Sequence, residues 1–250
     1  MLPVLMYHGL HADARARGRF DPVYSVRPEA FARQLDWLLE HDYRSVRLDD
    51  FDIREPRRLV ISFDDGDVSD LEIALPLLRE RGMVAEFFIT SDFIGRPGML
   101  NTANVRSLAD AGMGVGSHGR SHAFLEDLDA TSLKAELLDS RYRLQELCGR
   151  EVTSLALPGG RGGERELRCA QQLGYRHLLG SMPGPNRQPR QGAWLQRLAV
   201  TRTTTLPEFA ALVRWRGLGP QLARARFIAL ALPKRVLGNA GYQRLRARLL

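Results

Sequence analysis

RLVISFDDGDVSD, residues 58–70, runs an apolar segment straight into two adjacent aspartates, Asp64 and Asp65, followed by a glycine. Burying one carboxylate costs free energy, and burying two side by side adds their mutual repulsion. A strand that ends this way therefore needs a compensating group opposite its tip.

Outward from that strand, short aliphatic or β-branched runs alternate with helical patterns. PVLMYH (3–8) reads as a strand, followed by a polar, Arg-rich loop to about Ser25. Pro28 suits the first turn of a helix, and Phe31, Leu35, Leu38 and Leu39 recur at helical spacing up to His41. RSVRL (44–48) alternates as a strand, and LVISF (59–63) is fully apolar. Asp70 is placed to cap a helix carrying Leu71, Ala74, Leu75 and Leu78 that stops at Gly82. VAEFFI (84–89), MGVGSH (113–118), SLAL (154–157), YRHLL (175–179) and LQRLAV (195–200) read as further strands. Helices are expected over 102–111, along the stripe Leu133, Leu137, Leu144 and Leu147, over 164–173, and after Thr205. MPGPNRQPRQG (182–192) is a Pro/Gly-rich loop.

Repeated strand–helix units predict an α/β fold with a parallel sheet covered by helices, and about seven or eight of them close most naturally into a barrel. Barrel chemistry sits at the C-terminal ends of the strands. His8, Asp64, Asp65, His118 and Pro158 each end an apolar run, which puts the polar residues at that mouth.

The 44% hydrophobic share of 250 residues suits a globular protein with a real core. Cys148 and Cys169 form no CxxC pair and read as reduced, buried thiols of a cytosolic protein. The N-terminus lacks the basic region of a secretory leader, and no apolar run approaches the roughly 20 residues that span a bilayer. The expected location is cytoplasmic. The net charge of +7 is a tail property: nine of the 36 basic residues and none of the 29 acidic ones fall in 214–250, leaving 27 basic residues against 29 acidic ones before it. A body with a net charge of −2 argues against a nucleic-acid-binding fold.

GSHGRSH (116–122) supplies His118 and His122 directly after a second strand-like run. One aspartate and two histidines leave a position for water on a catalytic metal. The other aspartate stays free to take the proton of a water the cation has acidified. Consecutive side chains point in different directions, so one carboxylate can ligate while its neighbour faces the substrate. Taken singly, a DDG is most often a turn and an HxxxH a surface pair; at the ends of two separate strands they point to a divalent-metal site.

SFDDGDVSDLEIALPLLRERGMVAEFFIT (62–90), GMGVGSHGRSH (112–122) and LALPGGRG (155–162) resemble the first three motifs of the polysaccharide deacetylase family. PVLMYH and residues 24–51 resemble its N-terminal region, and the similarity covers about residues 1–213. The resemblance implies a distorted (β/α) barrel and metal-dependent removal of acetyl groups from N-acetylated sugars, in polysaccharide or glycolipid biosynthesis. Carried over, Asp64 is the catalytic base, and Asp65, His118 and His122 hold one divalent ion, zinc first, with cobalt, nickel or iron(II) as substitutes. Pro158, Gly159 and Gly160 form a groove wall, with the Gly159 amide on the oxyanion, although PGG alone also reads as a plain turn; Arg161 reads first as a solvated loop arginine and second as a contact for an anionic or hydroxyl-rich substrate. Two features of the family are missing. No histidine follows His177, where the family often has its general acid, and LALPGG lacks an arginine ahead of its proline. His8 is the first candidate for the acid and His177 the second; each also reads as a hydrogen-bonded structural histidine. His11 and His41 read as loop and helix-end residues.

The expected organisation is a catalytic barrel over 1–213 and a basic amphipathic extension over 214–250. Residues 221–250 mix Phe227, Ile228, Leu230 and Leu232 with arginines, break at Pro233, and place Tyr242, Leu245 and Leu249 on one face of a second helix. Such a segment suits either the inner surface of an anionic membrane or a helix packed on the barrel with its arginines in water. The membrane reading makes the substrate a lipid-linked sugar or exopolysaccharide precursor, and the general reading an acetylated glycan. Alternatives are a metal-dependent amidohydrolase on a non-sugar amide and a glycan-binding barrel that has lost catalysis.

Overall fold

A computed structural model describes residues 1–13, 20–52, 55–187 and 194–229 of the chain. In chain order the elements are β1 (Val4–Tyr7), β2 (Gly9–Leu10), β3 (Ser25–Val26), α1 (Pro28–Glu40), β4 (Arg44–Ser45), β5 (Arg58–Asp65) and α2 (Leu75–Glu80). They continue as β6 (Glu86–Ile89), α3 (Thr102–Asp110), β7 (Gly114–Ser117), α4 (Ala130–Cys148), β8 (Ser154–Ala156), α5 (Glu164–Gln172), β9 (His177–Leu179), β10 (Trp194–Leu195), β11 (Leu198–Ala199) and α6 (Leu206–Arg214). A further helix, α7, runs over 218–229. The second helix expected around Tyr242, Leu245 and Leu249 lies outside the described residues.

The main sheet is parallel in the order β10-β9-β8-β7-β6-β5-β1-β11, with β4 also on β5. Its two end strands, β10 and β11, belong to one segment of chain. That segment pairs with β9 through Trp194 and Leu195 and with β1 through Leu198 and Ala199, so it spans the seam and closes the sheet into a distorted (β/α) barrel.

Strand alternation sorts the side chains. On β5, Leu59, Ile61 and Phe63 face the helices and join the large core with Phe31, Leu35 and Phe87. Val60 faces inward with Val4, Phe88, Ala156 and Leu179 in a second, smaller core. Even-numbered positions of β1 and β5–β8 therefore point into the barrel, and this parity sends His8, Asp64 and His118 to its inner mouth. The interior is narrow. A Cβ on inward-facing Gly114 would lie 2.3 Å from the Glu86 carboxylate, and one on Gly116 would lie 2.4 Å from Ser154 Oγ.

Helix ends follow local chemistry. Pro28 opens α1, Asn101 and Asn104 form a reciprocal cap on α3, Asp129 caps α4, and Thr205 with Glu208 caps α6.

Three expectations need correction. LQRLAV is two short strands, because its halves pair with opposite edges of the sheet and Gln196–Arg197 between them belong to neither. RSVRL pairs only at Arg44 and Ser45, after which Leu48 turns its N–H to Glu86. Asp70 caps nothing. Ser69 precedes the wide first turn over Asp70–Ala74, and Asp70 lies inside it, fully buried, with neither carboxyl oxygen hydrogen-bonded. Burial, and then the nearby Asp67, Asp65 and Asp64, push its pKa well above the usual range, which favours its neutral form.

Glu86 is the other inward acid, low in the barrel, accepting the Leu48 N–H at 2.8 Å. Burial pushes its pKa up to about 7 from an ordinary 4.5. A folded-state pKa raised above the unfolded one gives stability that is complete below about pH 4.5 and is lost as pH rises through about 7. Across that window the wild-type chain should lose up to about 3 kcal/mol relative to Glu86→Gln, which keeps the acceptor without the charge. Urea unfolding at several pH values checks this; parallel curves for the two proteins would contradict it.

Candidate metal centre

β5 ends in a way that separates its two carboxylates. Asp64 keeps the inward register, opposite Phe88. Asp65 turns into the left-handed region at φ +78°, with Gly66 at +87°, and its side chain swings across the barrel mouth. It meets His118, the residue after β7, and His122, four residues on.

Asp65 Oδ1 lies 3.4 Å from His118 Nε2 and 3.2 Å from His122 Nε2. The three ligand atoms all fall within 4.8 Å of one another. His118 Nδ1 lies 2.9 Å from the Ala156 carbonyl; donation of its proton there leaves Nε2 with a free lone pair facing Asp65. Asp65 Oδ1 is buried and has no hydrogen-bond partner, although both imidazoles converge on it. An orphaned carboxylate oxygen and two imidazoles, with His122 one-third open to solvent, fit a divalent cation that keeps one position for water.

Burial and neighbouring charge act differently on the three side chains. Burial pushes His118 down to about 4, against the pull of Asp64, so the ring is neutral as a ligand must be. Burial opposes charge on His122, but Asp65 beside it and Asp64 beyond raise its pKa overall. Burial would raise Asp65, yet the imidazoles of His122, His8 and His118 outweigh it and hold the carboxyl well below its ordinary range.

Asp64 has a different partner. Arg197 forks onto it, Nη1 to Oδ1 at 2.6 Å and Nη2 to Oδ2 at 2.7 Å, while Arg197 Nε donates to the Gly180 carbonyl at 2.8 Å. Arg197 is completely buried and Asp64 is 2% exposed. Burial works against the Asp64 charge, and the guanidinium more than offsets it, so the carboxyl stays ionised. Asp64 Oδ2 is 4.0 Å from His118 Nε2, beside the ligand group and outside it.

The 119–122 loop is shaped from below by α4. Glu136, 3% exposed, accepts the Ser121 N–H at 2.6 Å and the Ser121 hydroxyl at 3.0 Å. This holds His122 at φ +66°, a conformation unusual for a residue with a side chain.

The remaining sequence candidates divide. His8 follows Tyr7, which pairs with Phe63, so it stands level with Asp64 across the sheet. Its ring stacks on Tyr24 at 4.4 Å, and its Nδ1 is buried without a hydrogen bond. Pro158–Gly160 forms a turn after β8, with Gly159 at φ +62° packed so closely on Phe124 that a Cβ would lie 2.6 Å from the ring. The Arg161 guanidinium lies 4.4 Å over the same ring, and its Nη1 is buried and unbonded, 3.7 Å from Glu126. His177 is not at the mouth. It opens β9 rather than ending it, and bonds Asp49 at 3.0 Å at the opposite end of the barrel. His11 is more than a loop residue: it bridges Ser25 and Asp67, at 3.0 and 3.2 Å. His41 stays at its helix end, 2.8 Å from the Trp37 carbonyl.

Arg197, the buried partner of Asp64, is the site residue that sequence reasoning missed. Its one visible signal is a charged residue inside the strand-like LQRLAV.

Fold and site together define a barrel hydrolase with a carboxylate–imidazole centre at the strand ends. The family model described as "Polysaccharide deacetylase" matches residues 52–178, half of the chain, and the chain belongs to that family. It is accordingly an enzyme acting on carbohydrate. YxkH of Bacillus subtilis (strain 168), whose name places it among polysaccharide deacetylases, is 25% identical over 219 residues, covering 85% of this chain and 76% of its own. A chitin deacetylase of Pestalotiopsis sp is 29% identical over 125 residues, 50% of this chain and 41% of that one. The solved structure of BC0361, a polysaccharide deacetylase from Bacillus cereus, superposes with a TM-score of 0.76 at 22% identity, over 85% of this chain and 68% of that one. At that identity the likeness speaks for the fold.

Arg197→Lys keeps a positive charge and loses the fork. Turnover should fall about 10²-fold through misplacement of the carboxylate. Asp64, released from two charge-assisted hydrogen bonds, should titrate higher, moving the acidic limb of the pH–rate profile upward. An unchanged limb with unchanged kcat would show that Arg197 does not position Asp64.

Proposed function

We propose that the protein is a metal-dependent N-deacetylase of acetylated glycans, acting in exopolysaccharide or glycolipid biosynthesis on a polymeric or lipid-linked sugar, at the cytoplasmic side of the cell membrane. The observation that carries this reading is the division of labour between adjacent carboxylates. Asp65 turns to two imidazoles while Asp64 is held ionised and unligated by Arg197. A sugar-binding barrel has no use for a second buried carboxylate kept charged beside the first. The chitin deacetylase relative points to N-acetylglucosamine as the sugar unit.

Asp65, His118 and His122 would hold the ion, zinc by preference among ions that accept two imidazoles and a carboxylate. When bound, it supplies Lewis acidity, polarising the acetyl carbonyl and lowering the pKa of a water. The protein's own groups do the rest. Asp64 takes the proton of the attacking water. Its fork with Arg197 fixes the direction of that transfer and keeps the base charged, at some cost in basicity. The Gly159 N–H donates to the oxyanion as charge develops, and Gly159's close packing on Phe124 holds that amide in place. His8, level with Asp64 on the neighbouring strand, gives a proton to the departing amine. Pro158 and Gly160 shape the groove, and Arg161, over the Phe124 ring beside Glu126, contacts a sugar hydroxyl or anionic substituent.

Acetate release from N-acetylated chitooligosaccharides, with zinc supplied, tests this reading. Wild-type protein should turn over. Asp64→Asn should lose about 10²–10⁴ in kcat with zinc still bound at one equivalent, and His8→Gln should fall in the same range. Unimpaired Asp64→Asn would remove the base. Acetate from non-sugar N-acetyl amides but from no glycan would move the activity to a different amide.

A further inference from the structure

Helix α7 (218–229) has two faces of opposite character. Pro220, Arg224 and Phe227, spaced i, i+4 and i+7, turn toward the barrel. Pro220 is buried, and Arg224 donates to the Pro183 carbonyl at 3.3 Å and to Gln196 Oε1 at 3.0 Å. The packing expected of a helical extension on the barrel is thus present here. On the other side, Leu218, Leu222, Ala225 and Ala229, spaced i, i+4, i+7 and i+11, are all exposed. Leu218 is 73% and Leu222 63% exposed, and Ile228 on the flank is 48% exposed. One whole face of this helix is apolar and points into solvent.

Its surroundings say what covers it. The stripe carries no hydrogen-bonding side chain, so it lacks the polar contacts by which a protein partner is usually fixed in register. Exposed Arg216 and Arg226 stand beside it. The 37 residues from Arg214 to Leu250 contain nine Lys or Arg and no acid. Apolar surface flanked by Arg216 and Arg226, in a stretch of sequence that is basic and free of acids, matches the acyl boundary and anionic headgroups of a lipid bilayer. The helix that carries the stripe also reaches the C-terminal end of the barrel sheet. Phe227 and Ile228, off the stripe itself, wall a cleft of about 310 Å³ with Leu157, Gly180 and Ser181, which follow β8 and β9, and Trp194, which opens β10. Gly180 in turn accepts from Arg197, which holds Asp64.

We infer that α7 lays its Leu218–Leu222–Ala225–Ala229 face into the surface of an anionic bilayer, setting the catalytic mouth against membrane-borne substrate. No helix among the described residues is long and apolar enough to cross a membrane. The inference concerns binding and stands apart from the acetate assay: either can fail alone.

The test is co-sedimentation of the full chain with phosphatidylcholine vesicles, with and without phosphatidylglycerol. Wild type should bind the anionic vesicles and release in high salt. Leu218→Glu/Leu222→Glu should bind at least about tenfold more weakly. Both positions are solvent-facing, so thermal unfolding should be unchanged; Leu218→Gln/Leu222→Gln should weaken binding in the same direction. Absence of wild-type binding, or equal binding by wild type and both double variants, would overturn the inference. So would a wild-type dimer that the Glu variant converts to monomer without any vesicle binding, because a second copy would then be the occupant.

Discussion

The structure depends on how two neighbouring buried carboxylates are kept apart. A β-strand alternates its side chains, so Asp64, following the inward Ser62, must enter the barrel. Asp65 would point outward into the apolar layer if the strand continued. The backbone instead turns left-handed at Asp65, and the second carboxylate swings over the mouth to the imidazoles. Each charge then has its own partner: a guanidinium below, and two histidines with room for a cation above. Without the turn, one aspartate would face the Phe31–Phe63–Phe87 layer unpaired, a loss on the scale of the whole protein's stability.

Arg197 makes the inner half of that arrangement affordable. Taking a carboxylate and a guanidinium out of water is expensive, and Coulomb attraction repays it only when hydrogen bonds satisfy the remaining polar atoms. Here the fork to Asp64, the Gly180 carbonyl and a longer contact to Ser62 do so. The segment that carries Arg197 is also the one that closes the sheet. Barrel closure and the charge state of the inner carboxylate are therefore one structural event, and damage at the seam should reach the active site before it unfolds the outer helices.

Much of this could be read from residues alone. The apolar run into Asp64–Asp65 and the His118–His122 pair are local signals, each at the end of a strand whose alternation is plain. Other features are not local. Arg197 sits in a hexamer that reads as one strand, and only pairing of its halves with opposite edges of the sheet turns the side chain inward. Asp70 looks like a cap because the tertiary packing that buries it leaves no mark on its neighbours. His177 was legible and misread: in YRHLL the apolar pair follows the histidine, which places it at the start of the strand, away from the chemistry.

The central claim is that a divalent ion takes Asp65, His118 and His122 while Asp64 remains in its fork with Arg197. Anomalous diffraction from crystals soaked in cobalt measures both halves at once. One ion within about 2.0–2.2 Å of those three side chains, with Asp64 still on Arg197, is the predicted result. An ion bridging both aspartates with the guanidinium displaced, or no ion at the site, would contradict it.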